Sequence, residues 1–97
     1  MRKIKTVIAP SILSADFANL ESECRNILTD GADSLHIDIM DGHFVPNLTI
    51  GPPVVKALRN KLQDAHFDCH IMVTHPQNYI KDLYQAGANC ITFHYEA

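Results

Sequence analysis

The sequence predicts an α/β protein with parallel strands in one sheet, its elements running β-α-β-α-β-α-β. Three observations predict it. Short segments of alternating apolar residues recur along the chain, each the length of a strand. Between them lie longer stretches whose apolar residues fall at helical spacing. Gly31-Ala32-Asp33 and Gly87-Ala88-Asn89 echo one another, each closing a helix and opening a strand, as repeated units would.

Thr6 to Leu13 reads as the first strand. Phe17, Leu20, Cys24, Ile27 and Leu28 follow at helical spacing, with Ser14 and Asp16 as capping candidates and Gly31 as the terminator. The second strand runs from Ser34 to Met40 and the loop Asp41 to Pro52 follows it. Pro53 suits a first helical turn, and Val55, Leu58 and Leu62 share one side of that helix. Phe67 to Val73 is the third strand, after which Thr74-His75-Pro76-Gln77 has the form of a capping box with proline inside it. Tyr79, Ile80, Leu83 and Ala86 then form an apolar stripe that Gly87 ends. Asn89 to Tyr95 is the fourth strand, with Ile91, Phe93 and Tyr95 on one face and Thr92 and His94 on the other.

A chain of 97 residues makes one domain at most. At 46% hydrophobic and 20% charged it has the composition of a soluble globular protein. The net charge of −3, with acids and bases interspersed, argues against a nucleic-acid or membrane partner. No apolar run approaches a transmembrane span, and Met1-Arg2-Lys3-Ile4-Lys5 lacks the apolar core of a signal peptide, so a cytoplasmic location is expected. Cys24, Cys69 and Cys90 are odd in number and far apart, so they read as buried small hydrophobes rather than as a disulfide framework or nucleophiles.

The segment Leu35-His36-Ile37-Asp38-Ile39-Met40 places an imidazole and a carboxylate on one strand face, with Leu35, Ile37 and Ile39 on the other. Phe67-Asp68-Cys69-His70-Ile71-Met72 repeats the arrangement. If the two strands are neighbours, His36, Asp38 and His70 meet as a His/His/carboxylate set able to hold a divalent metal with positions left open. A wetted or internally hydrogen-bonded polar face has the same spacing, and spacing alone leaves both readings open. Met40 and Met72 return that face to apolar character at the strand ends.

A polar set repeated strand after strand fits the interior of a β/α barrel near its catalytic end. A flavodoxin-like open sheet competes, but it would bury these charged groups beneath a helix, where unpaired charge is costly.

Leu35 to Asn47, Ala9-Pro10-Ser11-Ile12-Leu13, Gly51-Pro52-Pro53-Val54-Val55, His70-Ile71-Met72-Val73 and Thr92-Phe93-His94 together resemble the markers of the ribulose-phosphate 3-epimerases. These are phosphate-binding (β/α)8 TIM barrels, and the resemblance spreads over the whole chain. It implies that residues 1–97 form a single partial domain, the N-terminal half of such a barrel. It implies a metal-dependent 1,1-proton transfer that interconverts D-ribulose 5-phosphate and D-xylulose 5-phosphate through an enediolate, a step of the pentose phosphate pathway. One divalent ion is implied, zinc foremost, with iron, manganese and cobalt also serving. By the same resemblance His36, Asp38 and His70 are the metal ligands and Asp38 is one of two acid/base carboxylates. Ser11 and His70 match substrate-contacting positions, while Met40 and Met72 match pocket-lining methionines.

A barrel of this type takes about 250 residues, so the second acid/base aspartate and the phosphate-gripping loops are expected outside this chain. Asp33 at a strand's entry, Asp68 two residues before His70 on the same face, and Asp41 in a loop that shapes the pocket are poor substitutes for that aspartate, and Glu96 is a remote one. His43, His66 and His75 read as loop, strand-entry and helix-start residues. His94 reads equally as a site contact or a hydrogen-bonded interior histidine. Two functions from different classes follow. The chain is part of a sugar-phosphate epimerase, expected to be a homo-oligomer, or it is a short non-catalytic product that binds metal or pairs with another chain. Within the family, an allulose-6-phosphate 3-epimerase is the competing specificity.

Overall fold

A computed structural model describes residues 4–97, and Met1–Lys3, the start of the N-terminal stretch read above, lie outside the described residues. Three parallel strands, β1 (Leu35–Met40), β2 (Phe67–Met72) and β3 (Cys90–Phe93), form one sheet in that order. Helices α1 (Leu20–Thr29), α2 (Pro52–Lys61) and α3 (Ile80–Ala86) alternate with them, and 3₁₀ turns occupy Ile12–Ser14, Phe17–Asn19 and Pro76–Asn78. The parallel α/β architecture is the expected one.

Strand alternation places the core on one side of the sheet. Leu35, Ile37 and Ile39 of β1 and Phe67, Cys69 and Ile71 of β2 are buried together with Cys24, Val55, Leu58, Leu62, Leu83 and Ala86 of the helical layer and its flanks. This is where apolar area leaves water, at roughly 25 cal/mol per Å². α2 begins with Pro52 and Pro53, where a missing N–H costs nothing because that donor has no helical partner. α3 ends at Gly87, whose φ of 113° favours glycine. Asp16 caps the turn leading into α1 by accepting the Ala18 amide N–H.

Several expectations are corrected. The first predicted strand forms no ladder; it contributes a single parallel bridge, Ser11 to His36. Its carbonyls at Ile8 and Pro10 accept from Asp33, Ser34 and His36. It returns little, because the Ile8 amide goes to the Asp33 carboxylate and Pro10 has no N–H. Of the two capping candidates before Phe17, Asp16 takes the role and Ser14 lies inside the preceding turn, which Ser11 caps through the Leu13 amide. The capping box at Thr74–Gln77 does not form, since the Thr74 amide is taken by Asp41 and His75 occupies the cap position.

β3 is shorter than predicted because the chain turns after Phe93, with the Ala97 amide bonded to the His94 carbonyl. Tyr95 therefore points into solvent, and Cys90 is exposed on the edge strand rather than buried like Cys24 and Cys69. Burial pushes the Cys69 thiol up to about 12, which keeps it protonated at neutral pH. Phe17, Tyr79 and Ile80, expected on apolar stripes, remain substantially exposed at the helix starts.

Arg59 organises the edge of the sheet where β2 and β3 begin. Its guanidinium donates to the carbonyls of Leu62, Gln63, Ala65 and Gly87 and to Asn89 Oδ1, at 2.7–3.2 Å. It also lies 3.9 Å above the Phe67 ring centroid. One planar fork thus ties the end of α2 to the loop before β3. A Cβ at Gly87 would meet Arg59 Cγ at 2.6 Å, so this glycine is required both for its backbone angle and for space. Arg59→Ala is expected to destabilise the fold by about 3 kcal/mol, through several lost charge-assisted bonds, and Arg59→Lys is expected to recover less than half of that loss. Urea denaturation at unchanged m checks both, and an Arg59→Lys midpoint equal to wild type would contradict the role of the fork.

Candidate metal centre

Register brings the polar residues together. β1 and β2 pair so that His36 stands opposite Asp68, Asp38 opposite His70, and Met40 opposite Met72. The odd-numbered residues of both strands face the helices, so these six project from the opposite face. Asp38 is the hub. Its Oδ1 lies 3.0 Å from His36 Nε2 and 3.3 Å from His70 Nδ1. Its Oδ2 accepts the Ser11 hydroxyl at 2.6 Å, which is why the irregular first segment matters to the site.

Each histidine turns its other nitrogen outward, His36 to a group on β2 and His70 to one just past the end of β3. His36 Nδ1 is 2.9 Å from Asp68 Oδ2. His70 Nε2 is 2.7 Å from His94 Nε2, the two rings meeting end to end with centroids 4.9 Å apart, and His94 Nδ1 reaches Glu96 Oε1 at 3.1 Å. One proton assignment satisfies the second chain: His70 donates from Nε2 to His94, which donates from Nδ1 to Glu96, leaving His70 Nδ1 as a lone pair facing Asp38. Partial burial pulls the His36 pKa down, but the Asp68 hydrogen bond and the Asp38 and Asp68 charges outweigh it, and the net shift is upward.

The donor set fits a divalent ion. One nitrogen from each of His36 and His70 and one carboxylate oxygen of Asp38 lie within 4.8 Å of one another. Ions of this class take such ligands at roughly 2.0–2.2 Å, and the three donors are near enough to close around one ion by side-chain adjustment on a fixed backbone. Two imidazoles and one carboxylate with open positions suit zinc and the other first-row divalent metals, and the outward hydrogen bonds are of the kind that orient metal-bound histidines.

The sequence-expected residues fall as follows. His36, Asp38, His70 and Ser11 converge, and Met40 and Met72 sit one step beyond them toward the strand ends. Asp33 stays at the strand entry, paired with Lys5 at 3.5 Å. His66 bonds Ser34 Oγ at 2.7 Å at the entrance of β2. His94 makes the site contact that the sequence left open. Asp68, which the sequence offers only as a poor substitute for the second acid/base aspartate, is the partner of His36, and its position two residues before His70 on the same face is the signal for it. Thr49 gave no sequence signal. Its hydroxyl donates to the Asp38 carbonyl and accepts the Met40 amide, both at 2.9 Å, which pins the loop back onto β1.

The fold and the site define a class: a parallel α/β protein with a metal-competent His/Asp/His set on the interior-type face of its strands. The Ribulose-phosphate 3 epimerase family model matches residues 7–97. The chain belongs to that family. It is 56% identical over 96 residues to the ribulose-phosphate 3-epimerase of Schizosaccharomyces pombe, covering 97% of this chain and 42% of that protein. It is 60% identical over 89 residues to the cytoplasmic isoform of Oryza sativa subsp. japonica, covering 92% of this chain and 39% of that one. Against the Escherichia coli enzyme identity is 54% over 91 residues, covering 94% of this chain and 40% of the relative. The chain therefore spans about two fifths of the length of these curated relatives.

The loops after β1 and β2 are joined by Asp41. Its Oδ2 accepts the Thr74 amide at 2.8 Å, and its Oδ1 accepts those of His43 and Phe44, both at 2.9 Å. These bonds, the Thr74 amide foremost, hold the carboxyl well below the usual carboxylate range. A group whose pKa falls on folding contributes stability above its unfolded pKa, near 4, and loses it as pH drops through the folded value. The Asp41 carboxyl ¹³C resonance is accordingly expected to keep its ionised position to below about pH 3. Asp41→Asn is expected to abolish exchange protection of the Thr74 amide. The titratable groups lining the same cleft, His43 and His75, are read separately. An Asp41 midpoint near 4 would contradict the clamp.

Proposed function

We propose that the protein of which these residues form the first part catalyses the metal-dependent interconversion of D-ribulose 5-phosphate and D-xylulose 5-phosphate. The observation that carries this reading is the convergence of His36, Asp38 and His70 on one strand face in a chain of this family. Residues 1–97 are inferred to be the first half of a phosphate-binding β/α barrel. The exposed Val7, Ile8 and Phe93 flank the sheet, where further strands or a second copy would cover them. A sugar phosphate as substrate, a cytoplasmic location like that named for the rice relative, and a homo-oligomeric state belong to the same proposal. No described helix is long and apolar enough to cross a membrane.

His36, Asp38 and His70 would hold the ion, zinc foremost. When bound, a divalent ion supplies Lewis-acid stabilisation of the negative charge that develops on the substrate oxygens during deprotonation. The chain's own residues account for the rest of this half-reaction. Asp38 directs one oxygen to the histidines and the other to Ser11, which leaves the second oxygen positioned to take a proton from C3. The Ser11 hydroxyl steadies that carboxylate and lies where a substrate oxygen could share it. Met40 and Met72 wall the site with side chains that donate no competing proton and exclude water from the enediolate. Inversion at C3 needs an acid on the opposite face. Among the described residues Asp68, the other carboxylate on the two-strand site face, is engaged with His36, so the reading places that acid elsewhere in the whole protein.

Asp38→Asn in the full-length protein is expected to lower kcat by at least about a thousandfold, within the range for a lost acid/base group, without changing the far-ultraviolet circular dichroism. C3 hydrogen exchange with D₂O should fall in parallel. Turnover of D-ribulose 5-phosphate within tenfold of wild type would sink the assigned role. Faster turnover of D-allulose 6-phosphate than of D-ribulose 5-phosphate would shift the assignment to the alternative sugar.

A further inference from the structure

Asp68 has no part in the proton transfer just described, yet its placement is specific. It is the cross-strand partner of His36 in the β1–β2 register, so the backbone itself holds the pair together. Its Oδ2 lies 2.9 Å from His36 Nδ1, and the two side chains are similarly shielded, at 29% and 28% exposure. Among the described residues His36 is the cationic-type side chain within 4.0 Å of this carboxylate, and Arg59 is committed to carbonyls and Asn89.

A neutral imidazole carries one N–H. For His36 to offer a lone pair from Nε2, the nitrogen facing Asp38, its proton must sit on Nδ1 and find an acceptor there. We propose that Asp68 is a positioning residue for the metal centre, accepting the His36 Nδ1 proton and so fixing the tautomer, ring plane and donor strength of Nε2 toward a divalent cation. This inference rests on the proposed metal site. A structural clamp between β1 and β2 would need the contact but not the charge. A positioning carboxylate needs both, because the negative charge makes the opposite nitrogen a better donor.

The test is equilibrium titration of the full-length protein with Co²⁺, followed by the visible d–d bands. Asp68→Asn preserves shape and removes the charge. It is expected to weaken Co²⁺ binding roughly 10–100-fold and to shift the bands, with thermal stability of the metal-free protein little changed, as for other outer partners of metal-bound histidines. Asp68→Glu is expected to restore most of the affinity. In Zn²⁺-loaded wild type, long-range ¹H–¹⁵N spectra should show His36 protonated at Nδ1, a readout that needs no variant. Co²⁺ binding by Asp68→Asn within twofold of wild type, or a zinc-loaded His36 protonated at Nε2, would overturn the inference while leaving the metal site standing. Failure of wild type to bind Co²⁺ would overturn both together.

Discussion

Parallel pairing of Leu35–Met40 with Phe67–Met72, in the register that sets Asp38 opposite His70, governs both halves of this molecule. A strand has two faces and a period of two, so a slip of one residue would exchange them. The apolar residues Leu35, Ile37, Ile39, Phe67, Cys69 and Ile71 would leave the core, and the polar set would enter it. The energy that holds the register is the burial of these six side chains under the helices. The site inherits its alignment from that burial without needing interactions of its own to create it.

Holding two histidines and two aspartates on adjacent strands has an electrostatic cost that the hydrogen-bond pattern offsets. His36 lies between Asp38 and Asp68 with one nitrogen toward each. Asp38 gains a third partner in Ser11, supplied by a segment that forms no regular strand. Among the described residues no buried side-chain polar atom lacks a partner, which a half-shielded charged cluster requires if it is not to weaken the fold. The same contacts restrict each ring to one useful orientation. Stability and preparation for a cation are therefore met by one network.

The two ends of the strands divide the remaining work. Where β2 and β3 begin, Arg59 collects carbonyls from two loops and covers Phe67, a role of fastening alone. Where β1 and β2 end, Asp41 collects the amides of two loops and the Thr49 hydroxyl ties its loop back to Asp38 and Met40 of β1. Parallel sheets make this division natural, because the loops that leave the strands all gather at one edge and the loops that enter gather at the other.

Local pattern was enough for much of this. The period-two alternation of Leu35–Met40 and Phe67–Met72 determined the strands and which side chains share a face. The spacing of Val55, Leu58 and Leu62 and the stop at Gly87 determined helices, because those signals act within a few residues of themselves. The likeness of His36, Asp38 and His70 to a ligand set was legible on the same grounds. Tertiary structure decided what depends on partners far along the chain. Whether Ser11 lies in a strand turns on where the Ile8 amide goes, and it goes to Asp33. Whether Thr74 caps a turn turns on Asp41, thirty-three positions earlier. Whether Asp68 is a bystander or the partner of His36 turns on register, and register comes from packing two strands beneath helices that the sequence of either strand does not contain.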